Sequence, residues 1–197
     1  MSRKLLAGVL GGFAFFLWSF IAHMLLPLGQ TGVKEITTEE PVIAAMQANI
    51  SDHGLYIFPG IHLNPAATRD QQNAAMQQHL EKVLHSPSGM LIYHPSRSAN
   101  FGAMLLIELV TNIIQVLIAV LLLGQTRITS FAGRWRFVTL AGILAAISTN
   151  ISYWNWYGFP GNYTLAYTAT IAMGFVCAGL VAAALVKPNP TALAARA

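Results

Sequence analysis

Charge is scarce in this chain. Only 9% of the residues are Asp, Glu, Lys or Arg, against 55% that are hydrophobic. A soluble domain carries about a quarter charged residues, so a water-facing surface of this size would be badly under-hydrated and lipid is the natural solvent. Cysteine is nearly absent as well. Cys177 stands alone inside an apolar stretch, which excludes an internal disulfide, a CxxC motif and a Cys/His zinc box. It reads as a small buried residue. The chain also lacks a nucleophile elbow, a P-loop, a dinucleotide fingerprint, an HExxH helix and a CxxCH haem motif. No cofactor and no metal site is expected from it.

What is present in place of charge is four long apolar runs. They are Leu5–Pro27, Phe101–Gly124, Phe137–Tyr157 and Tyr163–Val186. Each is close to the roughly 20 helical residues that cross a bilayer. In lipid the backbone must satisfy its own hydrogen bonds, so each run should be a helix. The first run follows Arg3 and Lys4 but is too long for a signal peptide, and no Ala-x-Ala-like site follows it; it is expected to stay as an anchor.

The basic residues set an expected orientation. Arg3 and Lys4 precede run one, Arg127, Arg134 and Arg136 separate runs two and three, and Lys187 and Arg196 follow run four, with no acid in any of these segments. The stretch 28–100 mixes Lys34, Arg69, Lys82 and Arg97 with Glu35, Glu39, Glu40, Asp52, Asp70 and Glu81. By the positive-inside rule both ends are cytoplasmic and 28–100 is outside. The net charge of +4 then faces anionic headgroups and needs no nucleic acid. Tyr153, Trp154, Trp156, Tyr157 and Phe159 cluster at one end of run three and Trp135 lies at the other, as an interfacial aromatic belt would. A cation or sugar site is the alternative reading of that aromatic string.

The outer stretch has its own pattern. Thr38-Glu39-Glu40-Pro41 reads as a helix start with Thr38 as cap, leading a helix over 41–49. A second helix over 68–85 places Met76, Leu80, Val83 and Leu84 on one face. Leu55–Phe58 and Met90–Tyr93 read as two short strands. A two-stranded sheet is marginal alone and would need helix packing or the bundle for support. The expected fold is therefore an all-α membrane protein: a four-transmembrane-helix bundle, N-in and C-in, with a small α+β extracytoplasmic cap between helices one and two. The expected divisions are 1–27, 28–100 and 101–197.

Glu108 is the sharpest single residue, the one acid outside the loop, set in an apolar helix. A charge at the bilayer centre costs about 2.5–3.5 kcal/mol even on the mild insertion scale. Asn112 and Gln115 share its helix face. At about 1.5 Å per residue, Glu108 and Asn150 lie roughly 10 Å deep and His23 roughly 6 Å, with Tyr167 and Thr168 at a similar level. These residues are expected to form one polar cluster in the outer half of the membrane, with Glu108 and His23 paired. Either they are interhelical glue, at about 0.6 kcal/mol per contact, or they hold a ligand, proton or partner. Histidines 53, 62, 79, 85 and 94 show no metal-ligand spacing. Three small-residue stripes, Gly8/Gly12, Gly142/Ala146 and Gly174/Ala178, suit either internal packing or docking of another subunit.

The function first expected is that of a non-catalytic accessory or assembly subunit of a larger membrane complex, in a plasma membrane, with the bacterial inner membrane as the favoured location. Its partners would be membrane lipids and other membrane subunits or further copies of itself. The alternative is a binder or transporter of a small solute, lipid or proton through Glu108, His23, Asn112, Asn150 and Tyr167. An enzyme using Glu108 and His23 as acid and base would lack a nucleophile or metal.

Overall fold

In chain order the elements are α1 (Arg3–Phe20), α2 (Glu40–Asn49), β1 (Gly54–Phe58), α3 (Arg69–His85), β2 (Gly89–Tyr93), α4 (Phe101–Leu123), α5 (Phe131–Tyr157) and α6 (Gly161–Leu185). They come from a computed structural model that describes residues 3–187; Arg196 and the rest of the expected tail lie outside the described residues. The chain divides into two units, one of residues up to Lys34 together with those from Asn100 onward, the other Glu35–Ala99.

The first unit holds the long helices. Among the described residues, four helices are long and apolar enough to cross a membrane: α1 with its continuation to Leu25, α4, α5 and α6. Each starts and stops for a local reason. Asn100 and Ser130 cap α4 and α5 by accepting from the backbone N–H of Ala103 and Gly133. Gly158, at φ 70°, ends α5 in the left-handed conformation, and Pro160 leads into α6. The helix of run three starts at Phe131, earlier than the apolar pattern suggests, because charge ends an apolar run without ending a helix. Arg134 is buried there and donates to the carbonyl oxygens of Ala183 on α6 and of Thr129. It satisfies acceptors at the end of α6 that the helix itself cannot.

Helix directions alternate. Lys4 lies against Gly124, just past α4, so the start of α1 and the end of α4 share one end of the bundle, with the Arg134–Ala183 contact. At the opposite end, Gly32 (φ 79°) passes so close to α6 that a Cβ there would fall 2.7 Å from Cβ of Tyr163. We name these the Lys4 end and the His23 end.

Close packing is uneven around the bundle. α1 packs along α4 and α6, and α6 along α5, while α4 and α5 meet only sparsely. Missing side chains explain the tight seams. Gly8 and Gly12 admit Leu117 and Ile113 of α4, Gly174 admits the ring of Phe15, and Gly142 admits that of Phe175. The two rings meet edge to face at 5.0 Å. The small-residue stripes are thus spent inside the bundle. The apolar core gathers towards the Lys4 end around Ala7, Val116, Val120, Val138, Ala178 and Ala182.

The second unit is thin. β1 and β2 pair antiparallel, Leu55 opposite Ile92 and Ile57 opposite Met90. Direct partners share a face, so these four aliphatic side chains form one side of the sheet; Leu55, Ile57 and Ile92 are 59%, 58% and 68% exposed. Thr68 and Gln71 form a reciprocal capping box that starts α3. Thr38 does not cap α2: Glu39 occupies that position and makes no side-chain cap bond. Met76, Leu80 and Leu84 of α3 are exposed, so the expected apolar stripe exists without a helix–sheet core beneath it. Among the described residues of this unit only Tyr93 is buried.

Candidate functional site

Where α4 and α5 fail to meet, a groove of about 630 Å³ runs along the bundle. Residues of α4 and α5 form its walls, and many of these, including Glu108, Thr111, Gln115, Leu144 and Thr149, are exposed. Phe15, Thr170 and Phe175 of α1 and α6 are buried beneath it and form its floor. The groove therefore opens sideways, between α4 and α5.

Glu108, His23, Asn112, Asn150 and Tyr167 all line this one groove. Gln115 lines it too; Thr168 does not. Helical geometry is what gathers them: Glu108, Asn112 and Gln115 recur at i, i+4 and i+7 on α4. His23 projects from a π-helical turn, Ile21–Leu25, that ends α1 before Pro27. Such turns are rare and concentrate at functional sites.

The expected pairing of Glu108 with His23 is not what the geometry shows. Glu108 Oε1 accepts from the amide of Asn112 at 3.2 Å. His23 Nδ1 lies 2.8 Å from the carbonyl oxygen of Ser19. A carbonyl only accepts, so Nδ1 carries a hydrogen in this contact. The π turn brings His23 back onto its own helix, and Asn112, one turn from Glu108, satisfies the carboxylate locally. Asn150 likewise donates through its amide to Ala146 O at 2.8 Å, and Thr170 to Ala166 O at 2.8 Å. Trp18 ties α1 to the Thr170 carbonyl at 2.9 Å. Asn112 and Asn150 are 2% and 6% exposed, so their amides are fixed in place.

The groove is graded along its length. At the His23 end it carries His23, Glu108, Asn112, Thr149, Asn150 and Tyr167; towards the Lys4 end it is lined by Ile118, Leu122, Leu144, Ile171 and Phe175. Among the described residues no lysine or arginine lines it. Thr111, Thr149, Ser19 and Thr170 are lining residues that sequence reasoning passed over. For Thr111 a signal existed, its i+3 spacing from Glu108.

The aromatic string divides. Trp154 and Trp156 are exposed, while Tyr157, Tyr153, Phe159, Tyr163 and Tyr167 form a continuous column with centroid spacings of 5.8, 5.3, 5.6 and 5.7 Å. The column ends in the groove at Tyr167. Trp135, expected as an interface anchor, donates to Val176 O at 3.3 Å and so packs on α6. In the loop unit, His85 pairs with Glu81 at 3.5 Å on an exposed helix turn. Among the described residues no three His, Cys, Asp or Glu side chains converge as a metal site would require.

Comparison with known protein families, with curated proteins and with solved structures finds no match to this chain.

Proposed function

We propose that this chain is a membrane-embedded binding protein whose lateral groove receives an amphiphilic guest from the bilayer. One observation carries the reading: polar side chains from all four long helices face a single side-opening groove whose other half is apolar. A carboxylate left facing acyl chains is expensive, and glue alone would bring the polar faces into contact instead of leaving a groove between them. A guest with a polar head and an apolar tail matches the gradient, with its head at the level of Glu108 and its tail beside Leu122 and Leu144.

The basic residues of the Lys4 end, Arg3, Lys4, Arg127, Arg134, Arg136 and Lys187, support a cytoplasmic location for that end. In this reading residues 28–100 lie outside, the polar half of the groove sits in the outer leaflet, and the membrane is a bacterial inner membrane.

The test is native mass spectrometry of the protein extracted gently from its membrane. A small molecule should travel with the wild type and be lost in Ala145→Trp, which fills the groove wall. Failure to carry or take up any amphiphile saturably would sink the reading.

A second reading, an accessory subunit that docks on a larger complex, is favoured by the uncovered aliphatic face of the β1–β2 sheet. It no longer draws on the small-residue stripes, which are filled within the bundle. It expects a partner at equal stoichiometry in mild detergent, and release of that partner by Ile92→Lys.

A further inference from the structure

Resting on the groove reading, we infer that the guest's head is an organic cation: a primary ammonium on an apolar tail. Two independent features point there. The first is the inventory of hydrogen-bonding atoms. Glu108 brings the groove's one carboxylate, with one oxygen held by Asn112. His23 spends its Nδ1–H on Ser19, and Asn150 spends one of its two amide hydrogens on Ala146. Beyond these bonds the groove still offers acceptors, the second Glu108 oxygen and the Asn150 amide oxygen, beside the hydroxyls of Thr111, Thr149 and Tyr167, which accept as well as donate. Among the described residues no lysine or arginine lines the groove to neutralise the carboxylate. A head with three N–H donors and a positive charge supplies what is missing, through short charge-assisted bonds. An anionic head would meet the carboxylate with like charge, and a neutral alcohol would leave that charge uncompensated.

The second feature is the aromatic column. Five rings lead without a gap from the last turn of α5 to Tyr167 in the groove. Aromatic faces attract cations, Tyr among them, and the attraction grows where water is excluded. The column carries ring contacts from the His23 end of the bundle to the level of Glu108, two of them stacked, one edge-on and one tilted. An interfacial belt alone does not require such a row to end at a groove.

An ammonium of this kind comes from a lipid headgroup or from a free alkylamine, and one experiment covers both. The protein is reconstituted in phosphatidylcholine nanodiscs and titrated calorimetrically with dodecylamine or 1-dodecanol, with empty discs as blank. Dodecylamine is expected to bind saturably, about tenfold tighter than dodecanol, the ratio that 1.4 kcal/mol of extra interaction gives. Glu108→Gln keeps the shape and the Asn112 bond; it should bring dodecylamine down to the dodecanol level with an unchanged unfolding temperature. Tyr167→Leu should weaken dodecylamine about threefold, as loss of one ring face implies, and weaken dodecanol less. Replacing part of the phosphatidylcholine by phosphatidylethanolamine separates the sources. Competition with dodecylamine assigns the site to the headgroup, no competition assigns it to the free amine, and both results support an ammonium. Equal affinities for the two probes, or a Glu108→Gln protein that still prefers dodecylamine, would overturn the cation while the groove stands. Absence of saturable binding by either probe removes the groove reading itself.

Discussion

The two sides of the bundle are made from similar apolar helices and behave oppositely. On one side, glycines of α1, α5 and α6 stand at the close approaches, and rings and branched chains of the facing helices fill the space. On the other, α4 and α5 present Leu144 (70% exposed), Ile118 and Thr149 to a gap. Apolar character does not distinguish them. Lipid is as apolar as leucine, so hydrophobicity gives no drive to close a seam within the membrane. Closure comes where small residues on one helix meet a neighbour that can approach; across the gap α5 presents Ala141, Ala145 and Thr149, but α4 presents Glu108, Gln115, Ile118 and Leu122.

If that contrast is sound, substitutions on the two sides must differ in kind. Gly12→Leu should be the most damaging, because its Cβ would meet the backbone of Ile113, which cannot move aside. A loss of about 3 kcal/mol, or failure of the bundle to assemble, is expected from overpacking of this kind. Arg134→Ala comes next, since it strips hydrogen bonds from the carbonyls of Ala183 and Thr129. It should cost about 2 kcal/mol, and lysine should restore little of it because its single ammonium cannot reproduce the guanidinium fork. The Ala145→Trp protein, altered on the groove wall, should stay within about 0.5 kcal/mol of wild type although it loses its guest. Reversible unfolding in mixed micelles measures all three. A groove-wall variant that unfolds as easily as Gly12→Leu would erase the distinction between a packed seam and an open one.

Much of this could be read in the residues. Run length gave the long helices, and the i, i+4, i+7 recurrence on α4 put Glu108, Asn112 and Gln115 on one face. Depth counting brought His23, Asn150 and Tyr167 into the same half of the membrane, and all of them line one groove. What could not be read depends on contacts between distant segments. Nothing in Ile-Ala-His-Met-Leu announces a π turn, so the return of His23 to Ser19 was hidden and pairing with Glu108 was expected in its place. The neighbour order α4, α1, α6, α5 follows from which ring enters which glycine notch, Phe15 at Gly174 and Phe175 at Gly142. Spacing within one helix carries no record of that match. The early start of α5 was hidden because Arg134 and Arg136 look like the end of a span, while Arg134 is in fact folded inward onto α6. In the loop unit, local signals for α3 and both strands sufficed, since a capping box and strand alternation are short-range. The idea that a helix stripe must find a sheet to cover did not carry over, because Leu80 and Leu84 stay exposed.

Gly11 sets how closely α1 can sit against its neighbours. It lies between two helices at once: a Cβ there would stand 2.8 Å from Val116 of α4 and 3.3 Å from the Ala178 carbonyl of α6. α4 is one jaw of the gap, and α6 carries the other jaw, α5, on its far side. A single methyl at Gly11 would press on α4 and α6 together, at residues that do not line the groove.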